Sequence, residues 1–183
     1  MSAARLGSLD EIEAALWREL ALAVRDADHG WRTPVLATVD AGRADARTVV
    51  LREVEGPKRR LVVYTDERSA KVRQIGKRPD GVLVHWSARL SWQLRLSVRL
   101  EALSTGLAVS SRWAKLRLSP AAQDYLSPLA PGSPLERPSL ERSSREHFAI
   151  IVAQVNAIDW LELHEAGHRR ALFDTAGARW VAP

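Results

Sequence analysis

The sequence predicts a mainly β domain with a few helices (α+β), a small antiparallel barrel with helices flanking it. Three observations carry this. Short runs rich in valine, leucine and threonine follow one another, separated by turns containing Gly, Pro or Asp. One of them, 90–103, alternates apolar and polar residues without a break. Helical periodicity is confined to the N-terminus and a few short stretches. A chain of 183 residues is expected to form one domain, 1–183, large enough to bury a core.

Within 1–30, Ser8–Ala27 reads as a helix packed on the barrel. Ser8 and Glu11 have capping-box spacing. Ile12, Leu16, Leu20 and Val24 recur at helical period, a stripe for the core or for a dimer partner. Strands are expected at 34–40, 44–54 and 60–66, with Ala41–Arg43 and Glu55–Lys58 as turns. A helix over 67–78 is stopped by Pro79-Asp80-Gly81. Strands follow at 81–87 and 90–103. In the latter, Leu90, Trp92, Leu94, Leu96, Val98 and Leu100 share one face; Ser91, Gln93, Arg95, Ser97 and Arg99 share the other. Helices are expected over 104–118 and 119–126. The proline-dense stretch 127–139 is a surface loop, and 147–183 gives two or three closing strands.

Composition narrows the function. The chain has no cysteine, which excludes disulfides, thiolate zinc sites, thiol nucleophiles and iron–sulfur ligation. That fits a reducing cytoplasm. No apolar signal core or membrane-length run is present, so a soluble cytoplasmic protein is expected, with no membrane partner. The net charge is +5 and the pI about 10.2. Nucleic acid, anionic lipid or a phosphorylated small molecule all suit a basic surface. There is no Lys/Arg run. The tryptophans sit where packing explains them: Trp31, Trp86, Trp92, Trp113 and Trp180 are expected in the core or a subunit interface. A nucleic-acid-binding barrel is therefore the weakest of the readings.

His164–His168 reads HEAGH, the zinc-protease pattern H-E-x-x-H, but it follows a strand-like run and contains Gly167. It is expected to be a hairpin turn and not a metal site. No GxGxxG, P-loop or GxSxG pattern occurs. What remains is phosphate-capable chemistry at strand ends. Thr65, Ser69 and Lys71 cluster at a strand-to-helix junction. They suit either a phosphate dianion or a simple helix cap with a solvated lysine.

In combination, RTVVLR (47–52), VVYTDERSAK (62–71) and WQLRL (92–96) resemble the pyridoxamine 5′-phosphate oxidase family of FMN-binding split barrels. The resemblance runs from about Trp31 to Pro183. It implies a split barrel that binds FMN at the interface of a homodimer. On it, Arg47 and Lys71 hold the cofactor phosphate with Ser69. Val50, Leu51, Tyr64 and Thr65 border the flavin, and Gln93 contacts its ring. Trp160 is contributed by the partner chain. Arg52 and Arg169 face the substrate. By period-two geometry Arg47 and Arg52 point to opposite faces, so a bulge, a twist or a second chain is needed to bring both to one ligand.

The sequence departs from the family pattern on the substrate side. Ala70 replaces the middle arginine of S-R-K. After His168-Arg169-Arg170, the C-terminal motif loses its second histidine and final arginine, leaving Arg170 without an assigned role. Residues 119–128 lack the arginine that grips pyridoxal phosphate. The resemblance thus implies an FMN-dependent oxidoreductase for a small anionic or aromatic substrate, with a non-catalytic flavin carrier or sensor as the alternative. Deazaflavin and haem are ligands elsewhere in the wider split-barrel group.

Overall fold

The structure, a computed structural model, describes residues 5–139, 141–144 and 146–183. The first four residues of the expected 1–30 segment lie outside it. Helix α1 (Leu9–Arg25) starts with the capping box: Ser8 Oγ accepts from the Glu11 N–H, and the Glu11 carboxylate accepts from the Ser8 N–H. Its Ile12, Leu16, Leu20 and Ala23 are buried in the barrel core. The stripe therefore belongs to this chain's own core.

Among the described residues, nine strands form one antiparallel sheet: β1 (Val35–Asp40), β2 (Arg43–Thr48), β3 (Leu51–Glu55), β4 (Arg60–Asp66), β5 (Asp80–Ser87), β6 (Trp92–Leu103), β7 (Phe148–Glu162), β8 (Arg169–Asp174) and β9 (Gly177–Val181). The order is β2-β1-β5-β6-β7-β4-β3, with β8 on β7 and β9 on β8. Curled on itself without closing, the sheet is a split barrel. Helix α2 (Ala70–Lys77) packs against β1 and β6. Helix α3 (Leu107–Leu116) and a 3-10 turn (Pro120–Tyr125) lie outside, over a second core of Val62, Val109, Tyr125, Phe148 and Ile150. Residues 127–139 form no regular element.

One expected strand is two. The run 44–54 is broken at Val49–Val50: β2 pairs with β1, while β3 pairs with β4. These are the two ends of the strand order, so the chain crosses the split there. The Val49 N–H donates to Pro34 O and the Leu51 N–H to Arg32 O, which holds the crossing in place. The register then slips between Leu51 and Glu53, leaving Arg52 as a bulge. Period-two alternation does not run through the segment, and Arg47 and Arg52 end in separate surroundings.

Strand β6 keeps its alternation. Trp92, Leu94, Leu96, Val98 and Leu100 are buried; Arg95, Ser97 and Arg99 are exposed. The β1–β2 hairpin turns through Ala41 and Gly42, both at positive φ (47° and 82°), as a two-residue turn requires. Trp31 and Trp92 are core residues, and Trp113 packs on the second core. Trp86 and Trp180 are not core: they are 46% and 45% exposed. HEAGH is the β7–β8 hairpin turn, in which the imidazoles of His164 and His168 accept from backbone N–H groups of Ala166 and His164. Among the described residues, no helix is long and apolar enough to cross a membrane.

Candidate functional site

The end of β4 and the start of α2 build a polar cradle. Thr65 and Ser69 are only 5% and 4% exposed, and their hydroxyls lie 3.1 Å apart. Lys71 Nζ donates to Thr65 Oγ1 at 3.0 Å. Ser69 immediately precedes α2, yet its hydroxyl makes no capping bond. The helix-cap reading of this serine does not hold. Burial, and next the nearby charge of Arg47, hold the Lys71 amine below its ordinary 10.5. Among the described residues Lys71 makes no ion pair.

Arg47 reaches the same cradle from β2. Its Nη1 donates to Leu36 O (3.1 Å) and Thr38 Oγ1 (2.6 Å); its Nη2 donates to Gln74 Oε1 (2.9 Å) and Asp45 Oδ2 (2.5 Å). Gln74 Nε2 in turn donates to Asp45 Oδ2 at 2.7 Å. Thr38, Asp45 and Gln74 are site residues that sequence reasoning missed. Signals existed: Asp45 is two residues from Arg47 and shares its strand face, and Gln74 is one turn beyond Lys71 on α2. The fold thus gathers two cations, three buried hydroxyls, one amide and one carboxylate, which suits a phosphate dianion.

The other expected site residues are not gathered there. Leu51 is buried and Val50 half-buried at the crossing. Tyr64 is adjacent to Thr65 but points to the opposite face, as strand neighbours must. Its hydroxyl donates to Glu53 Oε1 (2.9 Å), which Arg112 of α3 also grips. Burial, and next the Glu53 bond, push the Tyr64 phenol up to about 12. Arg52 lies over the Tyr64 ring, 5.7 Å from its centroid, on this α3 side. Gln93 is half-buried on the outer sheet face, between its register partners Trp86 and Leu161.

Trp160 and Arg169 form a different cluster. Trp160 is fully buried and meets Trp92 edge-on at 5.3 Å. Arg169 donates from Nε (2.8 Å) and Nη2 (3.1 Å) to Glu162, and from Nη1 to Leu6 O (2.8 Å). Its guanidinium lies 5.7 Å from the ring centroids of both Trp160 and Trp180. Arg5 and the Trp92 indole also donate to Glu162. Arg170 pairs with Asp159. These groups tie the N-terminal segment to the β7–β8 hairpin.

Known proteins agree with this architecture. The model of the pyridoxamine 5′-phosphate oxidase FMN-binding domain matches residues 14–104. The pyridoxine/pyridoxamine 5′-phosphate oxidase of Trichormus variabilis is 34% identical over 88 residues, which are 48% of this chain and 40% of that enzyme. The matched stretch thus spans less than half of that relative. Among solved structures, a pyridoxamine 5′-phosphate oxidase-related, FMN binding protein from Nostoc punctiforme superposes with a TM-score of 0.76 at 25% identity, over 100% of both chains. PhzG from Burkholderia lata, in complex with tetrahydrophenazine-1-carboxylic acid, has the same fold: TM-score 0.75 at 15% identity, over 93% of this chain and 91% of that one. Residues 14–104 belong to the pyridoxamine 5′-phosphate oxidase FMN-binding domain family, whose cofactor is FMN, and the whole chain has the fold of these split barrels.

Proposed function

We propose that this chain is an FMN-dependent oxidoreductase that works as a homodimer on a small anionic or aromatic substrate. The carrying observation is Lys71: a half-buried cation with no carboxylate of its own, beside Arg47 and the buried hydroxyls of Thr65 and Ser69. Lys71 and Arg47 would neutralise the FMN phosphate while the two hydroxyls donate to it. The backbone crossing at Val50 and Leu51 would border the ring, with Gln93 as a ring contact. The bound flavin supplies hydride transfer, and the protein supplies position and electrostatics. Trp160 and Arg169 drop out of this assignment because their own cluster commits them. PhzG, a fold neighbour, is solved with an anionic heteroaromatic acid, the substrate class proposed here.

The outer face of the sheet supports the dimer. Val35, Val84, Trp86, Leu161 and Leu172 lie on that face with Gln93, and Val35 and Trp86 are exposed. An exposed apolar strip of this kind is what an interface covers.

A second reading, a flavin carrier or sensor without turnover, has its own observation. Arg169 is locked to Glu162 and Arg52 lies on Tyr64, so neither reaches the cradle to hold a substrate. The deciding experiment is the absorbance spectrum of the protein after FMN addition and passage through a sizing column with light scattering. Retained flavin bands co-eluting with a dimer are expected. No retained flavin, or retention of haem instead, overturns the cofactor reading. Failure of every nicotinamide donor and acceptor to turn over the loaded dimer selects the carrier.

A further inference from the structure

Arg47 is placed to grip a phosphate, but its hydrogens are already committed. An arginine carries five N–H donors, four of them on the two terminal nitrogens. Here Nη1 serves Leu36 O and Thr38 Oγ1, and Nη2 serves Asp45 Oδ2 and Gln74 Oε1. Only Nε–H remains. Lys71 differs, since its ammonium gives one hydrogen bond, to Thr65, and has two further donors. A phosphate settling between them meets an open lysine and an occupied arginine.

Of the groups on Arg47, Leu36 O, Thr38 and Gln74 are neutral; Asp45 alone is charged. It shares the β2 face with Arg47, is 44% exposed, and is bound a second time by Gln74. The Gln74 hydrogen bond, then the Arg47 charge and its bond, outweigh burial and hold the Asp45 carboxyl below 3.8. It is therefore an anion at neutral pH. A phosphate at Arg47 must either displace this carboxylate or lie beside it and be repelled.

We propose that Asp45 is a resident counter-ion that competes with the cofactor phosphate for Arg47. Binding then exchanges a carboxylate for a phosphate on the Nη2 edge of Arg47, and FMN is held less tightly than the cradle allows. The exchange leaves the flavin ring untouched, so it acts on FMN and not on riboflavin. This inference rests on the FMN reading above and specifies how that site is regulated by its own charge.

The test is a fluorescence titration of FMN and of riboflavin, at low salt, into the wild-type protein and into Asp45→Asn. Asparagine keeps a side-chain oxygen for Gln74 and Arg47 and removes the charge. The expected result is FMN affinity roughly three- to tenfold tighter in Asp45→Asn, the scale of an exposed ion pair, with riboflavin unchanged. Unchanged or weaker FMN binding in the variant overturns the inference and makes Asp45 a group that merely positions Arg47. A gain for riboflavin equal to that for FMN also overturns it. If wild-type protein binds FMN and the variant shows no gain, only this inference falls. If neither protein binds FMN, the cofactor reading falls with it.

Discussion

Lys71 and Arg169 are both half-buried cations, and both match ligand positions of the family pattern. Their surroundings differ. Lys71 makes one hydrogen bond, to a neutral hydroxyl, and burial and the charge of Arg47 outweigh the more distant pull of Asp66 and Asp45, with neither of which it pairs. Arg169 uses all three of its nitrogens on Glu162 and Leu6 O, and two indoles flank its guanidinium. The first region holds two cations, Arg47 and Lys71, against the one carboxylate of Asp45, and this excess positive charge in a partly buried place favours an incoming anion. The second has neutralised itself. A cation kept for a ligand is recognised by unused donors and missing counter-charge, not by residue type or motif position.

The sharpest way to break this comparison is to remove each cation in turn. Arg169→Met should leave the nearly buried Glu162 carboxylate to Arg5 and the Trp92 indole alone and cost about 2 kcal/mol of stability, at the scale of hydrogen bonds lost from a charged group. FMN affinity should stay unchanged. Denaturant unfolding together with FMN titration measures both. A variant of normal stability that no longer binds FMN would exchange the roles of the two regions. Lys71→Met should do the reverse. FMN affinity should drop roughly 30-fold, corresponding to about 2 kcal/mol for charge-assisted hydrogen bonds to phosphate. Stability should hold or rise, because a desolvated charge is removed. Riboflavin affinity should not move.

The pH dependences should separate the regions too. Burial pushes the Glu162 carboxyl up, but hydrogen bonds from Arg169, Arg5 and Trp92 outweigh it and hold it below 4.5. A depressed carboxyl contributes stability that is complete above its unfolded pKa and lost as pH falls through the folded one. Stability should therefore decline below about pH 4.5, and Arg169→Met should lessen that decline. The cradle titrates at the other end. Burial and Arg47 hold Lys71 below 10.5 in the free protein, and a bound phosphate favours its protonated form. FMN affinity should thus fall as pH rises through the free-protein value, before 10.5 is reached. Riboflavin affinity should show no such limb, nor should FMN with Lys71→Met.

The barrel was legible where alternation is strong. β6 reads directly as one buried and one exposed face, and β4 and β5 are bounded by turn residues on both sides. The break between β2 and β3 was not legible, because Thr48-Val49-Val50-Leu51 is a continuous β-forming run. What interrupts it is tertiary: the carbonyls of Pro34 and Arg32 capture the N–H groups of Val49 and Leu51. Half of the cradle could be read from Thr65, Ser69 and Lys71, which are close in sequence. Thr38, Asp45 and Gln74 meet Arg47 only after β1, β2 and α2 have packed. The cluster that Arg169 and Trp160 form within this chain was not legible, because a motif gives residue types without their partners. Glu162, seven residues before Arg169 across the hairpin, is what commits that arginine.

Arg68 gives the smallest expected effect and sharpens the comparison most. It stands next to Ser69, so nearness to the cradle would make it a phosphate ligand. Its donors say otherwise. Its guanidinium forks onto Asp66 at 3.1 and 2.7 Å and donates to the carbonyls of Ser127, Pro128 and Leu129, anchoring the start of the proline-dense loop. It resembles Arg169 in commitment and Lys71 only in position. Arg68→Ala should therefore change FMN affinity by about twofold or less, within the range of a surface substitution. Faster proteolysis or hydrogen exchange at 127–129 should accompany it, because carbonyl anchors are lost there. A loss of FMN affinity comparable to that of Lys71→Met would show that proximity outranks donor count. The rule drawn from Lys71 and Arg169 would then fail in the place where the two criteria disagree.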